Sequence, residues 1–150
     1  MKTRFLLLFL LLFGATAFGQ VNNLQVSWGV VKNGYQGKLL FVSEFTIENK
    51  GNLVFNDKKW TFWFNSCKTV VADSVSPTVK ITHINGDFYR MEPTSTFPVL
   101  NPGEKIKIRM ISNTWAIIRG DAPSGGYFVS NGIPSAVNIQ LLPFLSLIHI

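Results

Sequence analysis

Short segments in which apolar and polar residues alternate constrain the fold of this chain more than any other feature. The clearest spans residues 105–112, where three apolar side chains occupy one face and three cationic side chains the other. Similar segments lie at 24–30, 39–47, 60–64, 79–83 and 127–129, and turn-forming Gly, Pro, Asn and Ser residues separate them. An alternation of period two is typical of half-buried strands, and no helical periodicity persists for three turns. The pattern predicts an all-β fold, an antiparallel β-sandwich.

Length and composition limit this sandwich to one domain. The chain has 150 residues, which suffice for one ordinary core. It is 47% hydrophobic and 15% charged and contains 13 Phe, whereas disordered chains have few aromatic residues. Of the formal charge of +6, Lys2 and Arg4 contribute two units. The remaining charge is too small for the basic footprint of a nucleic-acid-binding domain, so no nucleic-acid partner is expected.

The N-terminus has the layout of a secretory signal peptide. Lys2 and Arg4 precede an apolar run at residues 5–13, and small residues follow up to Gly19. A membrane-spanning helix needs roughly 20 apolar residues, and this run is about half as long. We expect residues 1–19 to be cleaved before Gln20 and the protein to be exported to the periplasm or the exterior. No membrane association is expected after cleavage.

One cysteine, Cys67, remains in the exported chain. A single cysteine forms no intrachain disulfide, so the fold must depend on its apolar core. Because Cys67 follows an aromatic strand segment, we expect it to be a small buried hydrophobic residue rather than a reactive thiol.

The titratable residues do not form a catalytic or metal-binding pattern. The eight carboxylates are all separated in sequence, and most lie in or beside turns. No spacing of His, Cys and carboxylates predicts a metal site or another cofactor site. His83 together with a nearby serine could mimic part of a catalytic triad, but a strand histidine held by a hydrogen bond is the favoured interpretation. We therefore expect neither catalytic residues nor a cofactor.

The cations Lys105, Lys107 and Arg109 form a stripe on one strand face. Such a stripe can attract an anionic polymer. Positive charges on an outer strand also prevent edge-to-edge aggregation, and this is the favoured interpretation.

The tryptophans are the main candidates for binding. Trp60 and Trp63 are three residues apart and must face opposite sides of a strand. An outward tryptophan offers a flat apolar face with a polar atom at its edge, and sugar rings stack on such faces. The alternative is that all the tryptophans lie in the core or under loops.

One segment connects this pattern to a family. KITHINGDFYRMEPT at residues 80–94 is distinctive, and it is accompanied by YQG at 35–37, FTIEN at 45–49, WTFWFN at 60–65, LNPGE at 100–104 and DAP at 121–123. Together these segments resemble the N-terminal carbohydrate-binding domain of bacterial chitobiases and β-N-acetylhexosaminidases of glycoside hydrolase family 20. The resemblance covers most of the chain after the leader.

The resemblance implies a sandwich related to cellulose-binding modules, with an immunoglobulin-like arrangement, that precedes a catalytic barrel. In the family the barrel carries an adjacent Asp-Glu pair, and this chain has no Asp-Glu dipeptide. The chain itself is therefore expected to bind rather than to hydrolyse. The implied partners are GlcNAc-containing glycans, either chitin-type oligosaccharides or glycoprotein glycans, and the missing catalytic domain of the same polypeptide.

Four residues are our candidates for the sugar site. Trp60 or Trp63 is expected to stack on the sugar, and Asn85 and Asp87 are expected to complete the site with hydrogen bonds. The two polar residues are chosen because polar groups at strand ends often line sugar sites. The family motif does not itself identify them as ligands.

The C-terminal residues depart from the family pattern. We expect the sandwich to span residues 20–134 and residues 135–150 to be a truncated or artefactual tail. Residues 145–150 resemble translated sequencing-adapter sequence, and a natural C-terminal strand is the alternative. Besides a domain of a secreted hexosaminidase, two functions stay open: a purely structural domain packed on its own barrel, and a stand-alone secreted glycan-binding or adhesion module.

Overall fold

The computed structural model describes residues 21–71 and 74–143, and within them it contains nine strands. In chain order they are β1 Leu24–Asn33, β2 Leu40–Asn49, β3 Trp60–Asn65, β4 Val79–Asn85, β5 Phe88–Pro93, β6 Lys105–Asn113, β7 Ser124–Ser130, β8 Ile133–Ala136 and β9 Ile139–Leu141. The predicted leader at 1–19 and the adapter-like residues 145–150 lie outside the described residues. Within the described ranges, no helix has the length and apolar character that crossing a bilayer requires.

The strands form two sheets that pack face to face. One has four strands in the order β6-β2-β1-β9, and the other has five in the order β4-β5-β3-β7-β8. Neighbouring strands are antiparallel except β9, which runs parallel to β1. The predicted all-β sandwich is confirmed.

The core between the sheets is rich in phenylalanine. Phe45 lies 5.9 Å from Phe62 and 5.1 Å from Phe64, measured between ring centroids. Trp60 packs edge-on against Phe128 at 5.4 Å. Each such side chain stabilises the fold by roughly 1.5–3 kcal/mol when fully buried, so burial supplies the stability that disulfides supply in small disulfide-rich domains.

The alternation of buried and exposed residues predicted for 39–47 is confirmed within β2, but it is wrong for the first residue, Leu39. Phe41, Ser43, Phe45 and Ile47 are buried, whereas Leu39 is 70% exposed. The reason is that β2 begins at Leu40, so Leu39 still belongs to the preceding loop and follows no strand alternation. The Ser43 hydroxyl has no hydrogen-bond partner among the described residues.

The expected burial of Cys67 is also wrong. Its side chain is exposed, and its Sγ lies 3.6 Å from the Gly120 carbonyl oxygen. The inward positions of this segment are Phe64 and Ser66, both buried. Cys67 is therefore one residue out of phase with the core.

The sandwich continues past residue 134, where the sequence pattern placed its end, because β8 crosses that residue and β9 follows it. β8 pairs with β7, and β9 pairs with β1. Ile139 of β9 is only 8% exposed, and Gly126 leaves room for it, because a Cβ at Gly126 would come within 2.9 Å of Ile139 Cγ1. Strands this short carry no visible alternation, but they extend the sandwich through Leu141.

Strand β6 is the outer strand of its sheet, in agreement with the favoured interpretation of the cationic stripe. Glu44 on β2 lies 2.8 Å from Lys107 Nζ and 3.6 Å from an Arg109 guanidinium nitrogen. Residues 69–71 and 74–76 run along the free side of β6, where Val71 donates its N–H to the Ile111 carbonyl. The charged edge is thus partly covered by the chain itself.

Candidate functional site

Three aromatic side chains lie side by side on the outer face of the five-stranded sheet. Because Trp60, Phe62 and Phe64 point into the core, the alternation of β3 turns Trp63 outward. Trp63 is in register with Tyr127 of β7, and Phe88 of β5 packs beside it. We call Trp63, Phe88 and Tyr127 the aromatic strip.

The rings of the aromatic strip are nearly parallel. The Trp63 ring centroid lies 5.1 Å from that of Phe88, with 24° between the ring planes. The centroid of Tyr127 lies 6.2 Å from that of Trp63, with 6° between the planes. All three side chains are half-buried and the rings stack on one another, so their exposed parts form one row of apolar surface instead of a single protruding ring.

Polar groups hold Trp63 in place. Its indole Nε1 donates a 2.8 Å hydrogen bond to Thr61 Oγ1. The guanidinium carbon of Arg90 lies 5.6 Å from the ring centroid, a cation–π distance. Arg90 also forms a 3.0 Å ion pair with Glu92, so the arginine and the glutamate nearly neutralise each other beside the strip.

Two amide side chains are at the Phe88 end of the strip. Asn65 of β3 and Asn85 of β4 both face Phe88 in the strand register. Both residues are exposed. Gly125 leaves room for the Asn65 amide, because a Cβ there would lie 2.9 Å from Asn65 Nδ2.

The four residues predicted for the site are placed differently by the fold. Trp63 is part of the strip and Asn85 lies at its end. Asp87 is exposed in the β4–β5 turn next to Phe88, and its carbonyl accepts the Ser66 N–H at 2.7 Å. Trp60 is 1% exposed and packs on Phe97 at 5.2 Å. No face of Trp60 is available to a sugar, so the structure corrects that part of the expectation.

Phe88 and Tyr127 pack beside Trp63 but are not among the residues predicted from the sequence. The signal for Phe88 is present in the sequence, since Tyr89 and Met91 alternate with Phe88 and Arg90 after the Asn-Gly-Asp turn. That alternation predicts a hairpin whose outer face carries Phe88. Tyr127 could not be found in this way, because only the sheet order brings β7 next to β3.

His83 is held as the favoured interpretation predicted. Its Nε2 lies 2.7 Å from the Gly86 carbonyl oxygen across the β4–β5 turn. Of the described residues, no three His, Cys, Asp or Glu side chains converge as metal ligands would.

One residue of the segments that indicated the family, Asn49, stabilises the fold through buried hydrogen bonds. Asn49 is 2% exposed, and its amide donates to the carbonyls of Leu53 and Leu100 at 2.8 and 2.9 Å. Its carbonyl oxygen accepts the Gly51 N–H at 3.0 Å. The FTIEN and LNPGE segments are therefore joined through one buried side chain.

The chain matches a known domain family over most of its length. The family is described as "Putative carbohydrate binding domain", and the match covers residues 23–143. A curated relative, the N,N'-diacetylchitobiase of Vibrio harveyi, is 27% identical over 82 residues, which are 55% of this chain and 9% of that protein.

Solved structures share the fold. The glycoside hydrolase family 20 exo-β-N-acetylglucosaminidase of Vibrio harveyi, in complex with N-acetylglucosamine, matches with a TM-score of 0.62 and 19% identity over 83% of this chain. The family 3b carbohydrate-binding module of cellobiohydrolase 9A from Clostridium thermocellum matches with a TM-score of 0.52 and 13% identity, covering 78% of this chain and 97% of that one. The chain spans 18% of the exo-β-N-acetylglucosaminidase structure.

Proposed function

Because the chain belongs to this family of carbohydrate-binding domains, we propose that it binds glycans containing N-acetylglucosamine through the aromatic strip. The family match confirms the resemblance that the sequence motifs indicated, and the cellulose-binding-module fold agrees with it. The observation that carries the proposed site is the alignment of Trp63, Phe88 and Tyr127 on one solvent-facing sheet surface.

The chemistry of the strip suits a sugar. The C–H face of a pyranose ring is apolar and packs on aromatic surfaces, while its hydroxyl and acetamido groups need hydrogen-bond partners. In our proposal the strip supports the sugar rings. The exposed side chains of Asn65, Asn85 and Asp87 at one end of the strip then bond the polar substituents.

We extend the proposal to the natural context of the domain. The leader at residues 1–19 exports the protein, and the domain holds a larger β-N-acetylhexosaminidase on its glycan substrate. The partial coverage of the Vibrio harveyi relatives supports this context. In it the domain supplies binding, and the hydrolysis of terminal N-acetylhexosamine residues belongs to another part of the polypeptide.

Affinity electrophoresis of the exported chain in gels with soluble chitin derivatives or mucin tests the site. We expect the wild-type protein to be retarded and Trp63→Ala to lose most of the retardation, because the central ring of the strip is gone. An affinity loss of at least about tenfold corresponds to roughly 1.4 kcal/mol. Tyr127→Ala is a second variant at the rim of the strip.

Trp115→Ala is the matched control, since Trp115 is 39% exposed and lies outside the strip. It should migrate like the wild type. Absence of retardation of the wild type in both gels contradicts the proposed binding, and equal losses in both tryptophan variants contradict the proposed site. Near-UV circular dichroism verifies that each variant is folded.

A structural role against a neighbouring domain is the second candidate function. Leu39, Trp115, Ile117 and Ile118 are 70%, 39%, 61% and 64% exposed, and they lie on the two loops at one end of the sandwich. We call this set the apolar end. A rigid loop that presents isoleucines to water favours an interface.

A further inference from the structure

The outer face of the four-stranded sheet carries a groove that the aromatic strip does not use. Its cavity measures about 450 Å³, within the roughly 300–1,000 Å³ range of small-molecule sites. Its floor is the row Lys32, Val42 and Ile111, which are in register across β1, β2 and β6. Val42 points away from the core and is nonetheless only 6% exposed.

The first wall of the groove is Tyr35. It lies on the 3₁₀ turn Tyr35–Gly37 between β1 and β2 and is half-buried. Gly34 and Gly37 both have φ near 70°, and Gln36 has φ of 53°, a region that side-chain-bearing residues rarely adopt. This turn folds the tyrosine back over the sheet, and we call the cavity the Tyr35 groove.

The second wall is formed by residues 74–76, which are fixed to β6. Ser76 donates its N–H to the Arg109 carbonyl at 2.9 Å, and its hydroxyl oxygen accepts the Arg109 N–H at 2.8 Å. The Ser74 hydroxyl oxygen accepts the Ile111 N–H at 3.0 Å. Both serine hydroxyls are therefore engaged with the backbone, and the polar groups left for a ligand are those of Tyr35, Lys32 and Arg109.

The charged side chains that the described residues place at the groove are cationic. Lys32 is exposed and has no ion-pair or hydrogen-bond partner among the described residues. Arg109 has a side chain 63% exposed, and its contact with Glu44 is 3.6 Å, whereas Lys107 contacts the same carboxylate at 2.8 Å. Within the described part of the chain, no Asp or Glu lines the cavity. An anionic ligand is thus complementary to Lys32 and Arg109.

We propose that the Tyr35 groove binds a saccharide unit that bears a carboxylate, a uronic acid, on the sheet opposite to the aromatic strip. Tyr35 and Ile111 pack against the apolar face of the ring, and Lys32 and Arg109 pair with its carboxylate. The choice of a sugar over another anion rests on the proposed glycan-binding function. In this proposal Arg109 of the cationic stripe binds a ligand, in addition to the protection that the stripe gives against edge-to-edge aggregation.

Titration calorimetry with trigalacturonate and its methyl ester tests this proposal, because the two ligands share their rings and differ in charge. We expect trigalacturonate to bind and the neutral ester to bind at least about tenfold more weakly. Lys32→Gln, Arg109→Gln and Tyr35→Ala should each weaken binding at least about fivefold. Added salt should weaken it further.

Lys105→Gln is the matched control, because it removes a cation from the same face of β6 outside the groove. It should bind trigalacturonate like the wild type, and so should Trp63→Ala. Free galacturonate distinguishes a single sugar acid from an acidic polysaccharide, and binding of either supports the proposal.

Three results would overturn it: no binding of either acid, equal losses in Lys105→Gln and Lys32→Gln, or equally tight binding of triglutamate, which would indicate an acidic peptide. Neither probe contains N-acetylglucosamine. Failure here therefore leaves the proposed function of the aromatic strip untouched, and failure of the strip experiment leaves the groove testable.

Discussion

At the scale of single residues, the carboxylate of Asp121 holds together the loop between β6 and β7. Its Oδ2 accepts the N–H groups of Ile117 and Ile118 at 2.7 and 3.0 Å, and its Oδ1 pairs with Lys68 at 3.0 Å. Burial raises the pKa of the Asp121 carboxyl, but the two N–H groups and the Lys68 ammonium outweigh it, so that the pKa lies below its ordinary value.

We expect Asp121→Asn to lower the free energy of unfolding by about 1 kcal/mol at neutral pH, because hydrogen bonds to a charged acceptor are stronger than those to an amide. A lowered carboxyl pKa stabilises the fold above the unfolded value of about 4, and the stabilisation disappears as the pH falls through the lower folded value. The difference between wild type and variant should therefore shrink below about pH 4. Urea unfolding at several pH values measures it.

Lys68→Gln is the control for the ion pair. It should lower the free energy of unfolding by less than Asp121→Asn does, because the two hydrogen bonds from the Ile117 and Ile118 N–H groups remain. A difference between Asp121→Asn and wild type that is the same at acidic and neutral pH would show that the carboxylate charge contributes nothing.

At the scale of elements, β9 is the last strand of the described residues and closes one edge of its sheet. This strand of three residues covers the edge of β1 from Val26 to Trp28, and Leu142 donates its N–H to the Trp28 carbonyl at 2.8 Å. An uncovered β1 would expose unpaired backbone groups beside a hydrophobic strand, which favours self-association.

We expect a chain ending at Ala136 to be less stable than one ending at Pro143, by at least the roughly 2–5 kcal/mol that removal of a buried isoleucine-sized side chain costs. It should also self-associate through β1. Denaturant unfolding and analytical ultracentrifugation of the two chains make the comparison.

Ile139→Ala in the longer chain removes the buried side chain but keeps the backbone of β9 on the edge of β1. It therefore separates the effect of the side chain on stability from the effect of covering that edge. It should lose stability while staying monomeric at the β1 edge. Equal stability of the two chain lengths would place the end of the domain before β9.

At the scale of the whole molecule, the loops at one end of the sandwich form an apolar surface that is separate from the two sheet faces. The Asn33 amide bonds both the N–H and the carbonyl of Ala116 at 3.0 and 2.9 Å, which fixes the loop after β6 on the end of β1. Because β9 is parallel to β1, β9 runs toward this apolar end. A domain that follows in a longer polypeptide would meet the apolar end first.

We expect this chain on its own to self-associate through the apolar end, and Ile117→Ser with Ile118→Ser to suppress this association. Since both isoleucines are exposed, the free energy of unfolding should change by no more than about 0.5 kcal/mol per residue. Sedimentation velocity over a range of concentrations measures the effect.

Val99→Ser is the matched control, because Val99 is 49% exposed and lies in the loop before β6, away from the apolar end. Association that persists unchanged in the double isoleucine variant would exclude the apolar end as the contact surface.

The sequence by itself determined the fold class, most of the strands and the family. The alternation of apolar and polar residues is a local property of the sequence. It matches the burial observed in β1, β2, β3 and β6, because each of these strands has one side in the core. The hairpin formed by β4 and β5 has the same local origin in its Asn-Gly-Asp turn. The sequence also showed that Trp60 and Trp63 face opposite sides of β3.

Only the tertiary structure decided which of those two faces is the core and which side chains lie beside Trp63. The order of strands in a sheet is set by packing between distant segments, and no local period encodes it. The aromatic strip takes one residue each from β3, β5 and β7, and the Tyr35 groove takes residues from β1, β2, β6 and two loops. Leu39 and Cys67 are exposed for a related reason, since alternation stops where a strand stops and that boundary depends on the sheet. Local chemistry therefore specified the strands, and their lateral pairing created the surfaces.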